Sequence, residues 1–99
     1  PVSIQMRRSF VDGIGSSRVT DVMWPLASSV LAGSIVVSLQ QVREALRMLV
    51  ARGRVVAEGA GAVALAAALT GKAEGGPVVA VVSGGNIDAP VLAELLRSA

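Results

Sequence analysis

Apolar and polar positions divide the chain into stretches of different period. The first 22 residues, PVSIQMRRSFVDGIGSSRVTDV, hold no sustained repeat and carry Gly13, Gly15, Ser16 and Ser17, a pattern of extended segments and loops. MWPLASSVLAG (23–33) predicts a short helix, with Pro25 tolerated in its first turn and Gly33 as its stop. SIVV (34–37) is a continuous apolar run rich in β-branched residues, as in a buried strand. Ser38 followed by Gln41 makes a capping-box pair. Behind it Val42, Ala45, Leu46, Leu49 and Val50 recur at helical spacing, with Arg43, Glu44 and Arg47 on the other face and Gly53 ending the helix.

AGAVALAAALTG (60–71) predicts a second helix, apolar nearly all round and therefore buried on most sides, with small side chains that let other backbone approach. EGGP (74–77) reads as a turn, and VVAVV (78–82) as a strand without polar alternation, the pattern of a parallel sheet covered on both faces. Asp88 then caps APVLAELLRSA (89–99), with Pro90 in the first turn and Val91, Leu92, Leu95 and Leu96 facing inward. The order α, β, α, α, β, α predicts an α/β fold: a partial parallel sheet flanked by helices, in one segment spanning residues 1–99. Two or three short strands do not complete such a sheet, so further strands are expected from elsewhere.

Composition sharpens that expectation. The chain is 53% hydrophobic and 16% charged, whereas globular domains carry about 25% charged residues. A piece of a larger core, or a subunit that buries surface against a partner such as a second copy, accounts for the excess. A membrane span does not, because the apolar stretch over 22–42 is interrupted by serines, glutamines and a glycine. Net charge is +2, the arginines are scattered, and Phe10 and Trp24 are the only aromatics, so there is no basic stripe for nucleic acid. With no cysteine and no histidine, disulfide, thiolate and soft-metal chemistry are excluded. No secretory leader pattern is present, which points to the cytoplasm, and a start at Pro1 is expected of a fragment or processed product.

Two short motifs carry candidate chemistry. SGGN (83–86) follows the second apolar run, and in α/β sheets ligands lie beyond the carboxyl ends of strands. Ser83 is a candidate by position, Gly84 and Gly85 admit a flat ligand, and Asn86 can brace the loop. An ordinary turn into a helix capped by Asp88 is the other reading. The stretch lacks the spacing of a phosphate loop and its lysine. Glu58, in VVAEGAGAVALAAAL (55–69), is either a carboxylate favoured at a helix start or one that lines a cavity beside the glycines. Lys72, the only lysine, lies in the polar turn TGKAEGG and is expected in solvent, and Arg18 is either a surface charge or part of a site rim. No nucleophile–base pairing and no paired carboxylates are available, so the chain has no catalytic set of its own.

Taken in order, FVDGIGSSRV with MWPL, then IVVSLQQVREALRMLVARGRVVAEGAGAVALAAAL, then VVAVVSGGNID, resemble the C-terminal part of the threonine dehydratase and serine racemase family. These are pyridoxal 5'-phosphate enzymes of the tryptophan synthase β-like fold. The resemblance implies that the Ser83 hydroxyl hydrogen-bonds the pyridine nitrogen of the cofactor, a neutral partner that makes the ring a milder electron sink. It implies further that Gly84 and Asn86 shape the loop beneath the ring, that Glu58 lies near the cofactor pocket, and that Gly13 and Ile14 run past the ring. The family's Schiff-base lysine, its glycine-rich phosphate loop and the divalent-metal site of some members all precede the matching region. Thr20 stands where many members have glycine, which leaves dehydration, racemisation and other β-eliminations open. The expected whole is a threonine/serine ammonia-lyase that converts a small amino acid to a 2-oxo acid and ammonia. This segment should be inactive alone, with the preceding part of the enzyme and a homo-oligomer as partners. The other readings are a non-catalytic, self-associating α/β fragment and a small-ligand regulatory domain.

Overall fold

The computed structural model describes residues 1–73 and 75–97. Among them the regular structure is helical: α1 (Met23–Val30), α2 (Leu39–Met48) prolonged by a π-helical turn (Leu49–Gly53), α3 (Gly59–Leu69) and α4 (Ala89–Arg97). α2 starts where its capping box places it. The Ser38 hydroxyl accepts the Gln41 N–H at 3.1 Å, and the Gln41 amide oxygen accepts the Ser38 N–H at 2.8 Å. Its apolar face is the middle of the core: Val42, Ala45 and Leu46 pack with Ala62 and Ala66 of α3 and Leu95 of α4. α3 is the principal neighbour of α2, and α4 joins the same face.

The helical segment ends at Gly53, as read from the sequence, but through a π turn. A wider turn takes in one more residue, so Gly53 stays helical and Arg54 adopts the left-handed conformation, at φ 55° and ψ 35°. Its N–H closes on the Leu49 carbonyl, which also accepts the Val55 N–H at 3.0 Å. α4 begins after Asp88, whose carbonyl accepts the Leu92 N–H at 3.0 Å. Near its end Arg97 donates to Glu94 at 2.7 Å. That hydrogen bond, then the Arg97 charge and to a smaller extent that of Arg43, hold the Glu94 carboxyl below its ordinary range. The expected helix reached Ala99, but Ser98 and Ala99, like Glu74 in the expected turn, lie outside the described residues.

α1 starts on Thr20, whose hydroxyl and carbonyl both accept the Met23 N–H, at 3.2 and 3.1 Å. It ends at Val30 rather than Gly33, because Leu31 is already extended. The Ser28 and Ser29 hydroxyls turn back to the carbonyls of Trp24 and Leu26, each at 2.7 Å. None of the residues of α1 is buried.

The expected α/β sheet is not formed. Among the described residues there is no strand, and both apolar runs, 34–37 and 78–82, pass without regular secondary structure. A β-branched apolar run sets a backbone preference, but a strand exists only when a second row of amides and carbonyls faces it. Neither run meets one here. Val36 is 85% exposed and Val79 88%, the reverse of burial on two faces.

Candidate functional site

The site grows from the start of α3. Glu58 precedes the helix, half-buried, in an extended conformation that lets the chain enter α3 at a sharp angle. Its N–H donates to the Gly84 carbonyl at 3.1 Å, which ties the helix start to the loop after the second apolar run. Gly61, in the first turn of α3, lies against the same carbonyl so closely that a Cβ at position 61 would collide with it. A Cβ at Gly84 would in turn collide with the Glu58 carboxylate. The third wall comes from the N-terminal segment. A Cβ on Gly13 would stand 2.9 Å from the Ala60 Cβ and 3.1 Å from Glu58 Oε2. Bare backbone at 13, 61 and 84 is therefore what allows three distant stretches to close around one carboxylate.

Beside it opens a cleft of about 450 Å³, lined by Ser9, Phe10, Asp12, Glu58, Asn86 and Asp88, among others. Among the described residues, three carboxylates and no lysine or arginine line it, next to the positive end of the α3 dipole. The carboxylates do not converge as a metal cage would, and no group of three or more such ligands is so arranged among the described residues. A second cleft, of about 530 Å³, shares Ser9 and Asp12 with the first and is lined also by Arg7 and Arg8.

Of the residues singled out in the sequence, Glu58, Gly84, Asn86 and Gly13 are brought together here. Ser83 adjoins Gly84 in the chain but is exposed and lies outside the lining of the cleft, and its hydroxyl makes no hydrogen bond among the described residues. Ile14 faces a different hollow, with Val2, Ile4 and Val19. Arg18 is held by Asp21 at 2.6 Å. Lys72 follows the far end of α3, whose 11 residues put about 16 Å between it and Glu58. Ser9, Phe10 and Asp12 were not singled out as site residues, and Asp88 was read as a cap alone. Their positions in the sequence hold no common period, so only the fold assembles them.

Of the groups that would hold pyridoxal phosphate, the described residues at this junction offer the exposed Ser83 hydroxyl, which has no hydrogen bond among them, but neither an amine for the carbonyl carbon nor a loop of amides for the phosphate.

Comparison with known proteins gives a consistent picture. The family model described as "Pyridoxal-phosphate dependent enzyme" matches residues 1–84. The chain is 34% identical over 84 residues to "L-threonine dehydratase catabolic TdcB" of Escherichia coli strain K12, covering 81% of this chain and 26% of that protein. It is 31% identical over 95 residues to "L-threonine ammonia-lyase" of Thermotoga maritima, covering 95% of this chain and 24% of that one. A shorter match, 46% identical over 59 residues, joins 54% of this chain to 17% of "L-threonine dehydratase catabolic TdcB" of Staphylococcus aureus strain N315. The chain thus spans about a quarter of the length of the first two relatives.

Proposed function

The chain belongs to the family of pyridoxal-phosphate dependent enzymes, and from that premise we propose that it forms the C-terminal part of the cofactor-binding region of a threonine/serine dehydratase. The complete enzyme would release a 2-oxo acid and ammonia from L-threonine or L-serine. Two relatives named for threonine, matched along most of this chain, support the substrate class. The single observation that carries the site is the junction of Gly84, Gly61 and Glu58, which anchors the loop that presents the exposed Ser83 hydroxyl.

The chemistry supplied by the bound cofactor is an electron sink that makes the α-proton of an amino acid removable. The Ser83 hydroxyl both donates and accepts, so it can satisfy the ring nitrogen without forcing a proton onto it. Gly84 keeps side-chain bulk away from that edge, and Asn86 and Glu58 line the adjoining cleft. Lys72 stands at the wrong end of α3 to form the imine, so this reading assigns the imine-forming amine and the phosphate loop to the rest of the enzyme. It also places the enzyme in the cytoplasm. None of the described helices is long and apolar enough to cross a membrane.

The test compares the chain alone with the complete polypeptide, reading pyridoxal phosphate absorbance and 2-oxo acid release from L-threonine. Binding and turnover are expected only in the complete polypeptide. Ser83→Ala should cost about tenfold in turnover, the worth of one hydrogen bond to the ring, and Ser83→Asp should change the absorbance spectrum. A complete polypeptide that binds no pyridoxal phosphate sinks the enzyme reading. It would favour a self-associating structural piece, which the exposed Trp24, Val36 and Val79 would suit.

A further inference from the structure

Arg7 and Arg8 are adjacent, both exposed, and both line the 530 Å³ cleft with Ser9 and Asp12. Among the described residues neither makes an ion pair or hydrogen bond, although Asp12 lines the same cleft. Elsewhere the described arginines near carboxylates are engaged: Arg18 with Asp21, Arg97 with Glu94, and Arg43 and Arg47 in contacts of their own. Two arginines without an ion pair that line one hollow give it anion-binding character, since the planar guanidinium fork matches a carboxylate or phosphate with two parallel bonds; Arg8 also borders a neighbouring hollow with Arg43.

The surroundings choose between those anions. Asp12 shares the cleft, and across the wall formed by Ser9 and Asp12 lies the 450 Å³ cleft with Glu58 and Asp88. A phosphate dianion would bring two negative charges towards three carboxylates. An α-amino acid brings one, and carries an ammonium group that the acidic side favours. We infer that Arg7 and Arg8 form a docking site for the carboxylate of an α-amino acid zwitterion, whose ammonium group lies towards Asp12 and the acidic cleft. The inference rests on the amino-acid chemistry proposed above and names residues that receive the substrate before any reaction. The arginines are positioning residues in this role.

The test needs no cofactor. The ¹⁵N-labelled chain is titrated with L-threonine, with 1-aminopropan-2-ol, which lacks the carboxylate, and with inorganic phosphate, while the backbone amides of Ser9 to Gly15 are followed. L-threonine is expected to move these amides with an apparent Kd of millimolar order, and 1-aminopropan-2-ol to leave them in place. Arg7→Gln and Arg8→Gln should each weaken binding by about two- to fivefold, the range of an exposed ion pair. Arg52→Gln, which removes an exposed arginine from another part of the surface, should leave it unchanged. The inference is overturned if L-threonine moves none of these amides, if phosphate moves them more strongly, or if Arg52→Gln weakens binding as much as Arg7→Gln. Such a failure leaves pyridoxal phosphate binding by the complete polypeptide intact, whereas loss of that binding with L-threonine docking retained would sink the enzyme reading alone.

Discussion

Position 61 sets helix propensity against packing. Glycine inside a helix is ordinarily about 1 kcal/mol worse than alanine, so on propensity alone Gly61→Ala should stabilise α3. The Gly84 carbonyl occupies the space a methyl would take, and backbone cannot step aside as the end of a flexible side chain can. Gly61→Ala is therefore expected to destabilise the chain by about 1–3 kcal/mol, the usual cost of overpacking, as measured by urea unfolding. A stabilised variant would show that the loop at 84 does not sit on the helix. AGAVALAAALTG (60–71) was legible in the sequence as a run that tolerates close approach, and Glu58 as a cavity candidate. Glu58 was thus set beside the glycines of SGGN, but the contact of the Gly84 carbonyl with Gly61 was not legible, because the period within 60–71 carries no information about the loop at 83–86. The same holds for Asp12 and Asp88, which become neighbours of Glu58 only through the fold.

At the scale of elements, whatever depends on a few consecutive residues could be read directly. The capping box of α2 uses Ser38 and Gln41, and the apolar face behind it is the one the core uses. The close of the same helix at Gly53 was legible too, but its π turn was not, because that depends on where the following chain must go. Arg54 now holds a left-handed conformation that costs an L-residue about 1–2 kcal/mol relative to glycine. Arg54→Gly should raise stability by about 0.5–1 kcal/mol once the added freedom of the unfolded chain is deducted, and Gly53→Ala in the helical turn should not lower it. Loss of stability in Arg54→Gly would mean that the arginine side chain, and not the backbone, holds the turn. The two apolar runs failed as strands for a related reason. Valine content predicts backbone preference, whereas pairing needs a second chain segment that 34–37 and 78–82 do not meet among the described residues.

For the molecule as a whole, surface is the informative quantity. A folded monomer of 10.0 kDa should expose roughly 5,200 Å², and this chain exposes 7249 Å². Its radius of gyration is 14.4 Å against about 12.6 Å for a compact domain of this length. The excess is more than twice the roughly 800 Å² that one partner gives to a standard protein–protein interface, and much of it is apolar: no residue of α1 is buried, and Trp24 is 47% exposed. The isolated chain should accordingly bind a hydrophobic dye such as ANS and show solvent-exposed tryptophan emission. In the complete polypeptide the dye signal should fall and the Trp24 emission shift to the blue. Weak dye binding by the isolated chain would mean that this surface closes on itself in solution. Within this open structure, the Glu58 amide on the Gly84 carbonyl joins segments that lie 26 residues apart in the chain. An amide in the first turn of a helix normally trades its proton with water quickly, having no partner behind it. Here its lifetime in heavy water is set by how often the loop at 83–86 lifts away, so this one hydrogen keeps time for the loop.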